Sequence, residues 1–317
     1  MADMRDTFAD TLVELGQEYD HVIVLDADLS TSSKTERFRR VFPHRFVQVG
    51  IAEQNLFGVA AGLAAEGYIP FPSTFAAFAS RRACDQISIS IAFPQLNVKI
   101  PGSYVGIPTS SAGASHNSVE DIAIMRSMPT MRVVDPADDI DLRAVMRTAV
   151  LTPGPIYFRV TRLAVPRLLD PSYKFLWGRG VTLRQGSDVT LVGTGMMSAL
   201  CLKAAELLAA QGVDADVLHM GSIKPLDDDL LRKSASRTGT VVTAENASVI
   251  GGLGSAVAES LGEAQPTVVL RIGVKDRYVT SGRIDELLAH HKMNPSDIAE
   301  AARQAMGVRD GNLRNVH

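Results

Sequence analysis

Short apolar runs alternate with amphipathic stretches along most of the chain, and this alternation restricts the fold more than any other feature. HVIVLDADLS (21–30), RFVQVGI (45–51), YIPFPSTF (68–75), LNVKIPG, TMRVVDP and PIYFRV read as strands. AEQNLFGVAAGLAAEG (52–67), FASRRACDQISISIAF (78–93) and DDIDLRAVMRTAVL (138–151) read as helices between them, with Gly67 placed to cap the first. Two prolines keep 68–75 extended. Parallel strands need helical crossovers, and burial on both faces makes them near-continuous apolar runs. The expected class is α/β, a mainly parallel sheet flanked by helices.

Around residues 164–187 the pattern breaks into AVPRLLDPSYKFLWGRGVTLRQGS, where prolines, glycines and the lone Trp177 mark a linker. A second alternating unit follows. Its strands are DVTLVGTG, DADVLHMGS, TVVTAEN and TVVLRIG; its helices are ALCLKAAELLAAQG, DDDLLRKSASRTG and GSAVAESLGEA, with a polar helical tail from Pro295. The chain therefore reads as two α/β domains, 1–170 and 186–317, joined by a linker at 171–185. A length of 317 residues agrees with about two ordinary domains.

Composition removes several classes of function. A net charge of −3 gives no electrostatic case for a nucleic-acid coat or a membrane-surface binder. No uncharged stretch approaches the roughly 20 apolar residues of a spanning helix. MADMRDTFADTLVEL lacks the apolar core of a signal peptide, and Cys84 and Cys201 are too isolated for a disulfide framework. The expectation is a cytoplasmic protein. Its scattered histidines give no metal-ligand spacing, and no Ser-His-Asp arrangement stands out.

Four stretches carry candidate chemistry. In GIAEQN (50–55), Glu53 stands at a strand-to-helix junction in apolar surroundings. A carboxyl buried without a cationic partner keeps its proton toward neutrality, which suits a proton donor or acceptor. The plain alternative is a first-turn glutamate on the helix dipole. In PSTFAAFASRR (72–82), Phe75 and Phe78 share a face if the segment is helical, as core or as the wall of a heterocycle pocket. PGSYVGIPTSSAGASHNSVED (101–121) is a loop of small residues ending at His116, either an acid, base or hydroxyl binder, or a surface histidine before a helix capped by Ser118. In YFRVTR, Arg159 and Arg162 end a strand on opposite faces, so at most one faces a site for phosphate or carboxylate. GGLG in VIGGLGSAVAE (249–259) lacks the full dinucleotide fingerprint and reads as helix-turn packing.

In order, DADLSTSS, GIAEQNLFGVAAGLAAEGY, PSTFAAFASRRACDQI, GASHNSVEDIAIMR, IKPLD, VIGGLGSAVAE and RIGVKDRY resemble the C-terminal half of transketolase in its split, two-subunit form. The resemblance implies a pyrimidine-binding domain for thiamine diphosphate followed by the smaller C-terminal domain. By it, Glu53 matches the catalytic glutamate at N1′ of the cofactor's aminopyrimidine, and Phe75 the aromatic stacked on that ring. Phe78 and Ile51 match further parts of the pocket, and Asp28 the thiazolium side. Ser32, Tyr104 and Arg162 fall at sugar-phosphate positions, with Arg159 the substitute. His116 matches a histidine on the donor hydroxyl near the bond cleaved.

The same resemblance implies what the chain lacks. The family's GDG…N motif for diphosphate and Mg²⁺ is missing. A companion N-terminal subunit would carry it, in a heterotetramer of two of each chain. Tyr104 and Ala112 replace a histidine and an aspartate usual in the substrate loop; Arg81 and Ala247 stand where an aromatic and a histidine are frequent. These departures imply an altered sugar preference. The expected activity is transfer of a two-carbon ketol unit from a ketose (phosphate) to an aldehyde. The alternatives are the β subunit of a 2-oxo-acid dehydrogenase first component, a related pyruvate-using acyl transferase, or a non-catalytic interaction paralogue.

Overall fold

The computed structural model describes residues 2–311. The first unit runs β1 (Ala2–Asp3), α1 (Met4–Glu18), β2 (Val22–Asp26), α2 (Ser30–Ser33), α3 (Glu36–Val41), β3 (Phe46–Gln48), α4 (Glu53–Ala65) and β4 (Ile69–Phe75). It continues with β5 (Lys99–Ser103), α5 (Asp121–Ser127), β6 (Arg132–Val134), α6 (Asp139–Leu151), β7 (Ile156–Val160) and β8 (Ala164–Val165). The second unit runs β9 (Val181–Arg184), β10 (Val189–Gly193), α7 (Met197–Ala209), β11 (Ala215–His219), β12 (Ser222–Lys224) and α8 (Asp228–Thr238). It ends with β13 (Thr240–Ser248), α9 (Leu253–Ala264), β14 (Val268–Val274), α10 (Ile284–His290) and α11 (Pro295–Arg309). Residues 312–317 of the expected second domain lie outside the described residues.

The seven-stranded sheet has the order β12-β6-β7-β5-β4-β2-β3, parallel except for β12. Helices cover both faces, as parallel strands require. Leu56, Phe57, Ala60 and Ile87 pack on one side; Phe8, Leu12, Leu142 and Val145 pack on the other. The five-stranded sheet, β14-β13-β10-β11-β9, is parallel except for β9. The two-domain α/β class expected from the sequence is the observed architecture.

Several details differ from the sequence reading. Segment 78–93 is not a regular helix: Phe78–Arg82 and Gln86–Ala92 are π-helical, with Ala83 N–H bonded to the Phe78 carbonyl at 3.2 Å. Phe75 closes β4 rather than sharing a helix with Phe78. Ser118 caps no helix; it bridges to Val105, and α5 starts only at Asp121. The polar tail is a packed helix whose Ile298, Ala302 and Ala305 are buried. β12 leaves the second unit to pair antiparallel with β6, so the second unit completes the first unit's sheet. Asp138 caps α6 through Asp141 N–H and also accepts the N–H groups of Leu168 and Leu169, fastening the chain just before the linker.

Candidate active site

The large sheet changes direction at β2: the chain runs out to β3, then crosses back to β4 and onward. In open α/β sheets such a switch point leaves a crevice beyond the carboxyl ends of the strands, where ligands bind. Asp28 follows β2, Phe75 ends β4, Tyr104 follows β5 and Arg162 follows β7. The topology therefore brings dispersed sequence positions to one edge.

An unbroken run of contacts crosses this edge. Glu53 opens α4, is 1% exposed, and accepts a 2.9 Å hydrogen bond from Arg82 Nη1. It is not the partnerless carboxyl expected. The Arg82 guanidinium lies 5.0 Å from the centre of the Phe78 ring. Phe78 stacks on Phe75 at 5.6 Å, and Phe75 on Tyr104 at 4.2 Å. His116 sets its ring at a steep angle to both phenylalanines, 5.9 and 5.3 Å away. The Tyr104 hydroxyl accepts a 3.2 Å hydrogen bond from Arg5 Nη1, and Arg162 lies 5.3 Å from the tyrosine ring centre. Carboxyl, aromatic stack, histidine and paired cations thus succeed one another.

The stack revises one expectation. Phe75 is 7% exposed, with aromatic neighbours in both Phe78 and Tyr104, so it is the interior ring. Phe78 is half-buried, with Phe75 stacked on it and the Arg82 guanidinium over its ring.

Arg81, noted in the sequence only as a departure, braces the turn that holds His116. Its guanidinium donates to the carbonyls of Ala114, Ser115 and Asn117, and its Nε pairs with Glu120 at 3.3 Å. On the other rim, Asp26 anchors the turn of Asp28 and Ser32, accepting Leu29 N–H at 2.6 Å and the Thr35 hydroxyl at 2.8 Å. Burial pushes the Asp26 carboxyl above its ordinary value against these donors. Gln48 Oε1 accepts from both Asp28 N–H and Gly50 N–H at 3.0 Å, tying this turn to the segment before Ile51 and Glu53.

Arg159 is not a substrate group. It is wholly buried, and its guanidinium is spent on Asp121 (2.8 Å), Asp135 (3.0 Å) and the Asn246 carbonyl (3.0 Å). Burial opposes its charge, but Asp121 and Asp135 outweigh burial and hold it above the ordinary arginine range. On a strand buried along its whole length, this face meets the second domain rather than solvent.

A Ser-His-Asp line does exist, though the sequence hid it. His219 Nδ1 lies 2.7 Å from Ser198 Oγ, and its Nε2 lies 2.9 Å from Asp141. All three side chains are buried and join the two domains, so no substrate reaches the serine. The line is a fastening, not a nucleophile. Among the described residues, no group of three or more His, Cys, Asp or Glu side chains is gathered for a metal, and no helix is long and apolar enough to cross a membrane.

Sequence reasoning missed Arg5, Arg82 and Asn246. Arg5 sits in the first turn of an amphipathic helix, with no motif around it. Its meaning comes from Tyr104, 99 positions away.

The model of the transketolase pyrimidine-binding domain matches residues 1–167, and that of the transketolase C-terminal domain matches residues 178–298. A 6-deoxy-6-sulfo-D-fructose transketolase subunit from Clostridium sp. (strain MSTE9) is 46% identical, over 95% of this chain and 94% of that one. An apulose-4-phosphate transketolase subunit from Phocaeicola vulgatus is 36% identical, over 94% and 96%. A solved split-gene transketolase, described as an inactive β4 tetramer, superposes with a TM-score of 0.92 at 47% identity, covering 98% of this chain and 100% of that one. Fold and site together define a two-domain half of the kind used by thiamine-diphosphate-dependent enzymes. The chain belongs to the transketolase family, in the part that carries the pyrimidine-binding and C-terminal domains. It is a transketolase-type transferase subunit, of the class that moves a two-carbon ketol unit from a ketose to an aldehyde.

Proposed function

We propose that this chain supplies the pyrimidine side of a thiamine diphosphate site and, joined to a companion subunit, transfers a ketol unit from a ketose that ends in an anionic group. The observation that carries this reading is the run of contacts from Glu53 through the aromatic stack to Arg5 and Arg162. The residues fit the cofactor's ring: a buried carboxyl beside the Phe78 and Phe75 wall, with Ile51 76% exposed at its lip. Bound there, thiamine diphosphate supplies a carbon nucleophile able to hold a two-carbon unit and its electron pair. Glu53 holds the proton at N1′ of the aminopyrimidine. Phe78 and Phe75 form the aromatic wall against which that ring would pack. His116, steadied by Arg81, reaches the hydroxyl of the transferred unit. Asp28 and Ser32 lie on the opposite rim, toward the thiazolium and the sugar.

Arg5, which also pairs with Asp3 at 3.4 Å, and Arg162 both lie against Tyr104, where the donor's anionic end would reach. Two relatives support an anionic donor, since their names specify a sulfosugar and a sugar phosphate. The chain contains no GDG segment, so the reading assigns the diphosphate and its Mg²⁺ to an N-terminal companion, two of each chain forming a heterotetramer. A surface suited to such a partner includes α4, the helix that Glu53 opens: a Cβ on its Gly58 or Gly62 would meet open space, and Phe93, which ends the Gln86–Ala92 segment packed against α4, is 82% exposed. Two free thiols fit the cytoplasm.

The test is a donor panel on this chain reconstituted with a GDG-bearing companion. The expected result is that 6-deoxy-6-sulfofructose or another anionic ketose outperforms fructose about ten- to hundredfold in kcat/KM, an advantage lost in Arg162→Ala. Xylulose 5-phosphate should not be the best donor, because Tyr104 and Ala112 replace two groups that would read it. Equal use of neutral and anionic ketoses would sink the proposal, and xylulose 5-phosphate as best donor would sink its loop argument.

A further inference from the structure

The loop between β5 and α5 carries both Tyr104 and His116, yet much of what fixes it belongs to the second domain. Tyr104 is left-handed, at φ +59°. A tyrosine stays in that conformation only where its surroundings over-determine it. Gly106 also turns at φ +59°, and a side chain there would overlap the Asn246 amide and carbonyl. Asn246 lies on β13 and is 1% exposed. Its Oδ1 accepts the Ile107 N–H at 2.9 Å, and its Nδ2 donates to the Val105 carbonyl at 3.5 Å. One amide thus satisfies a donor and an acceptor on either side of Gly106, as a neighbouring strand would.

The far end of the loop meets the same stretch of chain. Ser248 N–H donates to the Val119 carbonyl at 2.6 Å, and Ile107 and Val119 are both embedded in the second domain's apolar core. Arg159 closes the frame: it binds the Asn246 main-chain carbonyl and also Asp121, where α5 begins. A β-carbon on Gly113, at the crown of the loop, would come within 2.7 Å of Ser281 Oγ.

We propose that Asn246 is a positioning residue for the substrate site, through which the second domain sets where Tyr104 and His116 stand and so sets affinity for the donor. Only its carboxamide both donates and accepts at this reach; aspartate lacks the donor and leucine lacks both. What the loop binds rests on the function proposed above; what holds the loop does not.

The experiment uses Asn246→Ala, Asn246→Asp and, as control, Ser198→Ala. The control weakens a different fastening between the domains and touches no part of the loop. Every variant at 246 keeps the main-chain carbonyl that Arg159 uses, so the frame at Asp121 persists. Hydrogen exchange on the full chain should show residues 105–118 exchanging about tenfold faster in Asn246→Ala, with an intermediate value in Asn246→Asp and no change in Ser198→Ala. In the reconstituted enzyme, Asn246→Ala should raise donor KM about tenfold with kcat changed less than threefold, and Asn246→Asp should recover part of that loss. Exchange in the loop within twofold of wild type in a folded Asn246→Ala chain would overturn the proposal. So would an equal rise in KM for Ser198→Ala. Wild-type pairs that transfer no ketol unit would instead overturn the functional reading, while the exchange measurement would still decide the role of Asn246.

Discussion

Glu53 is buried at the start of a helix, and the cation paired with it reaches it from outside: the Arg82 side chain is about half exposed and lies across the Phe78 ring. The carboxyl is therefore satisfied at its opening without being locked into a core. In Glu53→Gln the amide oxygen still accepts from Arg82, so folding and assembly should persist. The amide has no acidic proton to hold at N1′, so ketol transfer should fall at least a hundredfold, about 2.7 kcal/mol. The check is turnover of the reconstituted variant beside its melting temperature; retention of more than about a tenth of wild-type activity (a loss under ~1.4 kcal/mol) with an intact fold means Glu53 does not have this role. Glu53, the phenylalanines and His116 stood out in the sequence because each sits in a short motif with its neighbours, though each motif alone also allowed a plain structural reading. Arg82 did not, since its partner Glu53 lies 29 positions away on another helix. Asn246 was hidden because its partner Ile107 lies 139 positions away.

The glycine turn before α9 shows the same division among elements. Its GGLG read correctly as packing rather than a phosphate cradle, but the ligand it encloses was invisible: the carboxylate of Glu245. Leu253 N–H and Gly254 N–H each donate to Glu245 at 2.8 Å, and a side chain on Gly252 would overlap that carboxylate. The positive end of α9 is thus filled from within. Burial pushes the Glu245 carboxyl up to about 7, against these two donors and the charges of Arg159 and Arg271. Between the unfolded value of 4.5 and about 7, the folded chain holds a proton that the unfolded chain has released. Stability should therefore be greatest below that window and decline as pH rises through it, by up to about 3 kcal/mol. Glu245→Gln should flatten this decline while costing about 1–3 kcal/mol at low pH, because one N–H loses its acceptor. Denaturant midpoints of both proteins from pH 4.5 to 7.5 decide the matter: parallel curves would assign the slope to other groups.

The strand–helix alternation showed two α/β units but not how closely the molecule joins them. β12 completes the first sheet from the second unit, Arg159 and His219 fasten the junction from within, and Asn246 carries the joint to the loop of Tyr104 and His116. Each of these pairings unites segments far apart in sequence, and a one-dimensional pattern of periods and motifs does not encode them. The half-site this joint supports is one-sided by construction. It presents an acid, an aromatic wall and two arginines, while the sequence provides no GDG…N segment for a diphosphate and its metal. Ring stacking and one hydrogen bond are worth only a few kcal/mol before the cost of immobilising a ligand is subtracted. Thiamine diphosphate should therefore bind this chain alone no better than about millimolar, and Mg²⁺ should not improve it. Titration calorimetry with and without Mg²⁺ tests the point, and adding a GDG-bearing companion should bring binding into the micromolar range. Micromolar, Mg²⁺-dependent binding by the isolated chain would mean that it holds the diphosphate itself, and the division of the cofactor between two subunits would have to be abandoned.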